Sequence, residues 1–395
     1  MDLNIGTETR NEYMNLELQK GAYTLAKEIM LIKPGENVVI SGDTASDKRV
    51  IDAVAGAVYS IGGIPTIINY ATAPTVGLQP PAPIAAAVAK ADVWIEFTYS
   101  YIMHSKAFRD SMDFGTRYIC LTGMDVEMMV NTVSRIDYAT MIELGEYMKS
   151  VLEQTDEVII KCPNGTNLVA YNQGRGIRHS GQIATKKGYP VMLGGQISWC
   201  PIESTINGTL VFDGAIFPPL ELGKLNEQIK LYLEEGRVVK VEGGSEAKTF
   251  ENWLHSFNDD NMFRLAHYSL GFNPGVTKIT GRIVEDERVF GCMEFGIGSQ
   301  GAAIMGEFWT AASHTDGIVL KPTMIFDGKV FEEEGIYLDE KARELCKKLG
   351  VQVYYSYTEN YKDSILMKAQ QKHFRFCLID KIIVVKLNEL DYKLF

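Results

Sequence analysis

Strand and helix patterns alternate over the first 155 residues, and this alternation most restricts the folds open to the chain. A helical pattern at about 11–32 precedes the apolar strand ENVVISGD, and the next helix ends at the glycine pair Gly62–Gly63. Three further apolar strands, IPTIINY, DVWIEFTYS and RYICLTG, follow with helical patterns between them. Apolar strands that alternate with helices predict a mostly parallel sheet covered on both faces. We therefore predict a doubly wound α/β domain over residues 1–155.

The turn after the first strand excludes a dinucleotide site in this domain. It reads SGDTASDKR, without the G-x-G-x-x-G spacing that lets a backbone approach a pyrophosphate.

The sequence pattern changes at about residue 156. Short strands and frequent glycines predict a β-rich α+β domain over 156–357, with one helix near 246–267 and another at DEKARELCKKLG. The tail, 358–395, is rich in Lys and Ile and contains no glycine, and its sequence attaches it to neither domain.

Charge and cysteine usage exclude several classes of protein. The net charge is −11, from 39 basic and 50 acidic residues, which argues against nucleic acid or an anionic membrane surface as a partner. No apolar run approaches the roughly 18 residues that span a bilayer, and the polar N-terminus is not a secretory signal. The cysteines show no C-x-x-C spacing and predict reduced thiols in a cytoplasmic protein: Cys120, Cys162, Cys200, Cys292, Cys346 and Cys377.

The segment SHTDGIVL carries two titratable residues, His314 and Asp316, at the start of an apolar strand. Residues two apart on a strand point to the same face, so both side chains could bind one ion. A third ligand is needed, and His267 in LAHYSLG is the best candidate. Two histidines and one carboxylate form the facial triad of non-haem Fe(II) oxygenases. Glu294, in GCMEFGIGS, is a possible fourth ligand or a neighbour of the ligands.

The other histidines are weaker candidates. His104 follows the strand DVWIEF by a few residues, at the edge where open α/β sheets bind ligands. His179 lies in the polar, glycine-rich loop GRGIRHSGQ, and we interpret His255 and His373 as structural.

Several ordered segments resemble the aminopeptidase T superfamily, which also contains the 2,5-dihydroxypyridine 5,6-dioxygenases. The resemblance covers roughly 30–340 and is carried by LIKPGENVVISGD, CPIESTINGTLVFDG, LAHYSLGFNPG, GRIVEDERVFGCMEFGIGSQ and SHTDGIVLKPTMIFDGKVFEEEG. It implies a homo-oligomer, a dimer or larger.

The two branches of this superfamily differ in their metal sites. The resemblance implies a dinuclear metal centre for the peptidase branch. At the position of one carboxylate ligand of that centre, this chain has Gln196. His267 and Glu294 also stand where the peptidases have glutamate and histidine, respectively. His267, His314 and Asp316 match the iron ligands of the dioxygenases, and YIMHSKAF resembles a segment that would place His104 at the substrate. Two departures from the dioxygenases are Glu294, where they have an apolar residue, and the spacing of histidines over 165–190.

These observations lead to three hypotheses. The first is an Fe(II)-dependent dioxygenase that acts on dioxygen and a hydroxylated N-heteroaromatic substrate. In it His104 moves the proton of the ring hydroxyl, and Glu203, Ser299 and His179 bind the substrate. The second is a metallo-aminopeptidase or related hydrolase that uses Zn, Co or Mn to activate water. The third is a non-enzymatic protein with a vestigial site.

Overall fold

The computed structural model describes residues 14–75, 77–179, 181–301 and 306–351, with the backbone of 375–379, 382–387 and 390–393. Its chain forms two compact units, Met1–Val351 and Gln352–Phe395. The boundary predicted at residue 155 falls inside the first unit, and His373 lies outside the described residues.

The first part of the chain alternates strands and helices, as the sequence predicts. Helix α1 continues into a π-helical turn at Leu25–Ile29, and α5 into another at Val130–Ser134. The elements are α1 (Asn15–Thr24), β1 (Asn37–Asp43), α2 (Lys48–Ser60), β2 (Ile64–Tyr70), α3 (Ala82–Val88), β3 (Val93–Glu96), α4 (Lys106–Phe114), β4 (Arg117–Cys120), α5 (Val126–Met129) and α6 (Tyr138–Leu152).

These strands form a parallel sheet in the order β2-β1-β3-β4, and a fifth strand, Pro190–Met192, pairs with β4. The central strands β3 and β4 are buried at every position, whereas the edge strand β2 is exposed or half-buried. The predicted doubly wound α/β architecture is confirmed. Its sheet takes one of five strands from beyond residue 155, because a parallel partner need not be close in sequence.

The rest of the first unit is rich in antiparallel strands, which confirms the predicted β-rich α+β class. Short 3₁₀ helices lie at Glu203–Thr205 and Asp260–Phe263. The remaining elements are β5 (Glu157–Lys161), β6 (Asn167–Tyr171), β7 (Arg178–His179), β8 (Pro190–Met192), β9 (Gln196–Trp199), β10 (Asn207–Phe212), β11 (Ala215–Phe217), β12 (Gly223–Lys224), β13 (Ile229–Glu234), β14 (Arg237–Gly243), α7 (Ser245–Ser256), β15 (Leu265–Gly271), α8 (Ile283–Asp286), β16 (Cys292–Gln300), β17 (Trp309–Leu320), β18 (Thr323–Phe326), β19 (Lys329–Glu333), β20 (Ile336–Tyr337) and α9 (Glu340–Lys348).

The helix predicted near 246–267 is wrong beyond Ser256. Asn258 takes a positive φ of 49°, which ends the helical path, and the Asp259 carboxylate then caps a separate 3₁₀ turn through Asn261 N. The next residues form β15, which is buried at six of its seven positions. His267 therefore lies on a strand.

Two antiparallel sheets make up this region. One has the strand order β14-β13-β10-β6-β5-β18-β19-β20, and the other has the order β12-β11-β17-β16-β15-β9-β7. The seven-stranded sheet carries His267, Glu294, His314 and Asp316 on its adjacent strands β15, β16 and β17.

The second unit is described only in its backbone, as an antiparallel meander of β21 (Arg375–Ile379), β22 (Ile382–Leu387) and β23 (Leu390–Lys393). The five cysteines whose side chains are described are free thiols, as expected. In the part of the chain that the structure describes, every helix is too short or too polar to span a bilayer.

A buried glutamate holds the loop that leaves β3 toward α4. The Glu96 carboxylate is fully buried and accepts hydrogen bonds from Thr98 Oγ1, from Tyr118 Oη and, at 2.5 Å, from Ile102 N. Two of these bonds come from the loop itself and the third comes from β4, so Glu96 ties the loop that carries Tyr101 and His104 to the end of β3. Burial nevertheless raises the pKa of Glu96 to about 7, although these hydrogen bonds lower it.

We predict that Glu96→Gln removes a pH-dependent part of the stability. A carboxyl whose pKa rises on folding binds more protons in the folded state, so the free energy of unfolding falls as pH rises from about 4.5 to about 7. At 1.36 kcal/mol per pKa unit, the loss is on the order of 3 kcal/mol. Urea unfolding between pH 5 and 8 should show a flatter profile for Glu96→Gln than for wild type. Glu153→Gln, at an exposed position, should keep the wild-type profile; identical profiles for all three proteins would contradict the role of Glu96.

Candidate metal centre

Strand register brings four polar side chains to one face of the seven-stranded sheet. His267 on β15 pairs with Gly296 on β16, and Gly296 pairs with Asp316 on β17. Paired residues on neighbouring strands share a face, and residues two apart on one strand share it too. His314 and Glu294 therefore lie on the same face as His267 and Asp316. The intervening Thr315 is buried and donates a hydrogen bond to the Pro218 carbonyl instead.

The side chains of His267, His314 and Asp316 converge closely. His314 Nε2 lies 2.9 Å from Asp316 Oδ1, and His267 Nε2 lies 3.6 Å from the same oxygen. One ligand atom from each of the three residues lies within 4.8 Å of the others. The two imidazole rings are nearly parallel, with centroids 5.2 Å apart. The structure thus brings together the three residues that the sequence predicts as ligands.

Gly296 makes room for the two rings. A Cβ atom at this position would lie 2.3 Å from Cε1 of His267 and 2.8 Å from Cε1 of His314. Any side chain here would displace both imidazoles, so the glycine between the two ligand strands sets the spacing of the site.

A backbone carbonyl orients the His314 ring. Its Nδ1 lies 2.7 Å from the carbonyl oxygen of Ser299, which can only accept a hydrogen bond. Nδ1 therefore carries a proton, and in the neutral ring Nε2 has a free lone pair that can bind a metal ion. A hydrogen bond of this kind fixes the tautomer of metal-binding histidines and raises their basicity.

Glu294 is a buried carboxylate beside the three converging residues. It is fully buried, and its Oε1 lies 3.0 Å from His267 Nε2. That oxygen still has no well-formed hydrogen bond from a described residue. The other oxygen, Oε2, accepts a hydrogen bond from Gln196 Nε2 at 3.3 Å, and the same amide donates to Glu287 Oε2 at 2.7 Å. Gln196 thus lies between two carboxylates.

Burial and mutual charge separate the protonation states of these groups. Burial alone would raise the pKa of Asp316, but His314 and then His267 outweigh it and hold that pKa at about 2. Burial, together with Asp316 and Glu287, raises the pKa of Glu294 well above its usual range. Burial lowers the pKa of His267, whereas Asp316 raises the pKa of His314 against the effect of burial.

The donor set suits a divalent transition metal ion. Two imidazole nitrogens and a carboxylate oxygen are the ligands of non-haem iron sites and also suit zinc and cobalt, whereas magnesium and calcium prefer oxygen alone. Glu294 Oε1 lies at the same place, buried and without a well-formed hydrogen bond from a described residue. His267, His314 and Asp316 would hold the ion, with Glu294 at its side.

The loop after β3, in the α/β part of the first unit, carries Tyr101 and His104. Burial raises the pKa of Tyr101 to about 12, and the charges of Cys120 and then Asp316 add to the rise. His104 is exposed and has a positive φ of 76°, a conformation found mainly at turns and strained sites. Partial desolvation, and then the charges of Arg178 and Arg109, lower the pKa of His104.

Three residues predicted to bind substrate have other contacts. The Glu203 carboxylate accepts hydrogen bonds from Arg175 Nη2 at 2.5 Å and from Glu307 N at 2.7 Å. The Ser299 hydroxyl bonds to both backbone groups of Ala311, so only its carbonyl serves the metal centre.

His179 is buried against α6, with Nδ1 2.8 Å from Glu146 Oε1. It pairs with Ile197, whereas the preceding residue, Arg178, pairs with Ser198 and shares the face of His267 and Asp316. His255 packs against the Phe263 ring, with centroids 4.8 Å apart, as a structural residue would.

Sequence reasoning missed Glu287, Tyr101 and Arg178. Glu287 follows the short helix α8 in a segment with several charged residues, and nothing in its spacing distinguishes it from Glu285 or Asp286. Arg178 could have been found beside His179 only by knowing which of the two faces the site. Tyr101 carried a weak signal, its closeness to His104 after a buried parallel strand.

Known proteins share both sequence and fold with this chain. A 2,5-dihydroxypyridine 5,6-dioxygenase of Pseudomonas putida is 33% identical over 75 residues, which is 19% of this chain and 21% of that protein. The matched segment thus spans about a fifth of that relative's length.

Two solved structures share the fold. The structure of 2,5-dihydroxypyridine dioxygenase from P. putida KT2440 matches with a TM-score of 0.69 at 17% identity, covering 83% of this chain and 99% of that one. Wild-type AmpT from Thermus thermophilus matches with a TM-score of 0.61 at 14% identity, covering 82% and 100%. Both branches of the resemblance drawn from the sequence are therefore present among its structural relatives. The model of the NicX family, 2,5-dihydroxypyridine 5,6-dioxygenase, matches residues 22–337, and the chain belongs to that family.

Proposed function

We propose that the chain is an Fe(II)-dependent dioxygenase that opens the ring of a hydroxylated N-heteroaromatic, in the class of 2,5-dihydroxypyridine. The convergence of His267, His314 and Asp316 on one face of a sheet carries the proposal, because two histidines and one carboxylate leave positions open for substrate and dioxygen. Membership of the NicX family supports it. The resemblance also leads us to propose a homo-oligomeric assembly.

The protein's own residues orient the reactants and move protons. Fe(II), when bound, would supply the electron transfer toward dioxygen that organic side chains cannot. Asp316 remains ionised because the neighbouring histidines keep its pKa at about 2, so it supplies the negative charge of the ligand set. The phenol of Tyr101, with a pKa of about 12, stays protonated and can donate a hydrogen bond.

His104 would act as the base for the substrate hydroxyl. Its pKa is lowered from the ordinary value by desolvation and by Arg178 and Arg109, so near neutral pH the ring is uncharged and can accept a proton. The buried Glu96 carboxylate holds the loop of His104 in place, because it accepts a hydrogen bond from Ile102 N, two residues before His104. Deprotonation of the hydroxyl would prepare an electron-rich ring for attack.

A metallo-aminopeptidase, or a related hydrolase using Zn, Co or Mn, is the second candidate, and the fold shared with AmpT favours it. Gln196 argues against it, because its amide nitrogen lies between Glu287 and Glu294, where a second cation would have to bind. A non-enzymatic protein with a vestigial site is the third. Metal analysis separates the third candidate from the first two, and oxygen uptake separates the first from the second.

We predict that Asp316→Ala loses most of the one metal ion bound per chain. The variant loses the one triad ligand that is anionic, and it leaves two neutral imidazoles in a buried setting. Elemental analysis after anaerobic Fe(II) loading and desalting measures the stoichiometry. Glu203→Gln also alters a buried carboxyl group, but one outside the cluster, and should retain the metal. Full occupancy in Asp316→Ala would refute the ligand assignment.

We predict that His104→Ala lowers turnover by about 10²–10⁴-fold, the usual contribution of general acid–base catalysis. Metal content should not change, because His104 lies on the loop after β3 and not on the ligand strands. Stopped-flow absorbance of the substrate and metal analysis together make the test. As a control, His255→Ala replaces a histidine on α7 and should keep wild-type turnover. Wild-type activity in His104→Ala, or loss of its metal, would show the assigned role to be wrong.

We predict negligible release of amino acids from leucyl or arginyl peptides, even with excess zinc or cobalt. The neutral amide of Gln196 cannot bridge two divalent ions as a carboxylate does. Gln196→Glu should bind a second equivalent of metal in a titration, whereas Gln196→Met should not. Rapid peptide hydrolysis by the wild type would instead favour the aminopeptidase.

A further inference from the structure

Arg178 is a half-buried cation that has no partner among the residues the structure describes. It lies on β7, the edge strand of the sheet that carries the metal centre. Among the described residues, its guanidinium makes no hydrogen bond and has no carboxylate within ion-pair distance. Burial lowers the pKa of this arginine, and the charge that opposes the effect belongs to Tyr189, which is a weak acid.

Several other buried or half-buried arginines among the described residues have carboxylate partners. Each of four has an acidic partner: Arg117 with Glu36, Arg175 with Glu203, Arg282 with Asp125 and Glu285, and Arg288 with Glu287. Placing a charge away from water without a partner is costly, so such groups are usually paired. Among the described residues, Arg178 differs from these four arginines.

Strand register places Arg178 on the face of the metal ligands. It pairs with Ser198 on β9, Ser198 pairs with Ser269 on β15, and Ser269 pairs with Glu294 on β16. One strand separates β7 from β15, so their backbones lie about 10 Å apart. The two intervening residues of this row are small serines that bond to each other at 2.8 Å.

Strand register is the geometric ground for placing Arg178 on this face. In agreement with it, the charge of Arg178 contributes, after desolvation, to the lowered pKa of His104 on the loop after β3. No ion pair joins Arg178 to Glu287, Glu294 or Asp316, so within the described chain it does not serve to neutralise the buried carboxylates.

We propose that Arg178 binds a carboxylate group of the substrate, so that the preferred substrate is a hydroxylated N-heteroaromatic that also carries a ring carboxylate. The planar fork of a guanidinium matches a carboxylate in two parallel hydrogen bonds. The separation of about 10 Å between β7 and β15, two strand spacings, leaves room for a single aromatic ring to lie between this group and the metal. The inference rests on the proposed function and names the class of substrate within it.

Ligand binding tests this assignment independently of turnover. The metal-loaded protein, kept anaerobic, is titrated calorimetrically with 5-hydroxypyridine-3-carboxylate and with the corresponding carboxamide, which has a similar shape and no charge. A carboxylate at position 3 cannot chelate a metal together with the ring nitrogen. Hydrogen bonds to charged groups contribute enough for a preference of roughly 10–100-fold for the carboxylate.

Variants show whether the preference comes from Arg178. Arg178→Met should bind the two ligands equally, with metal content and carboxamide affinity unchanged. Arg178→Lys, which keeps the charge and guards against misfolding, should retain part of the preference. Lys187→Met removes an exposed positive charge nearby in sequence and should behave as wild type.

Three results would overturn the assignment: equal affinity of the wild type for both ligands, no binding of either, or a preference that survives in Arg178→Met. Failure of the proposed function would look different. In that case the carboxylate preference would depend on Arg178, but no oxygen would be consumed on either ligand.

Discussion

Two imidazole rings, packed side by side over a glycine, determine how the catalytic region of this protein is built. Gly296 lies between the strands of His267 and His314, and a single methyl group there would overlap both rings. Strand register then adds Asp316 and Glu294 to the same face. The result is a compact set of nitrogen and oxygen donors on a rigid sheet, where the backbone cannot adjust its spacing without breaking strand pairing.

Charge balance explains the residues around this centre. Asp316 stays ionised beside two histidines, whereas burial and neighbouring carboxylates keep the pKa of Glu294 high. The amide of Gln196 lies between Glu294 and Glu287 and donates a hydrogen bond to each without adding charge. We propose that this arrangement binds one cation, through His267, His314 and Asp316. Arg178 stands at the other edge of the face and is left for an anion from outside the chain.

Much of this could be predicted from periodicity, and the rest depends on pairing between distant segments. The alternating strands before residue 155 and the shared face of His314 and Asp316 follow from local repeats of the side chains. The distance from His267 to Asp316 does not, since it requires β15, β16 and β17 to be neighbours in register. For the same reason the sequence did not indicate that Pro190–Met192 joins the parallel sheet, or that Arg178 faces the site and His179 does not. The helix expected through residue 267 was wrong because Asn258 and Asp259 end one element and begin another.

The fate of isotopically labelled dioxygen tests the central claim most directly. Anaerobically loaded Fe(II) protein is mixed with 2,5-dihydroxypyridine, or with the hydroxypyridine carboxylate, under ¹⁸O₂, and the ring-opened product is analysed by mass spectrometry. A dioxygenase transfers both labelled atoms to one product molecule, with one dioxygen consumed per ring opened, and this is the predicted result. A product that carries oxygen from water only, with no dioxygen consumed, would contradict the account and indicate a hydrolase.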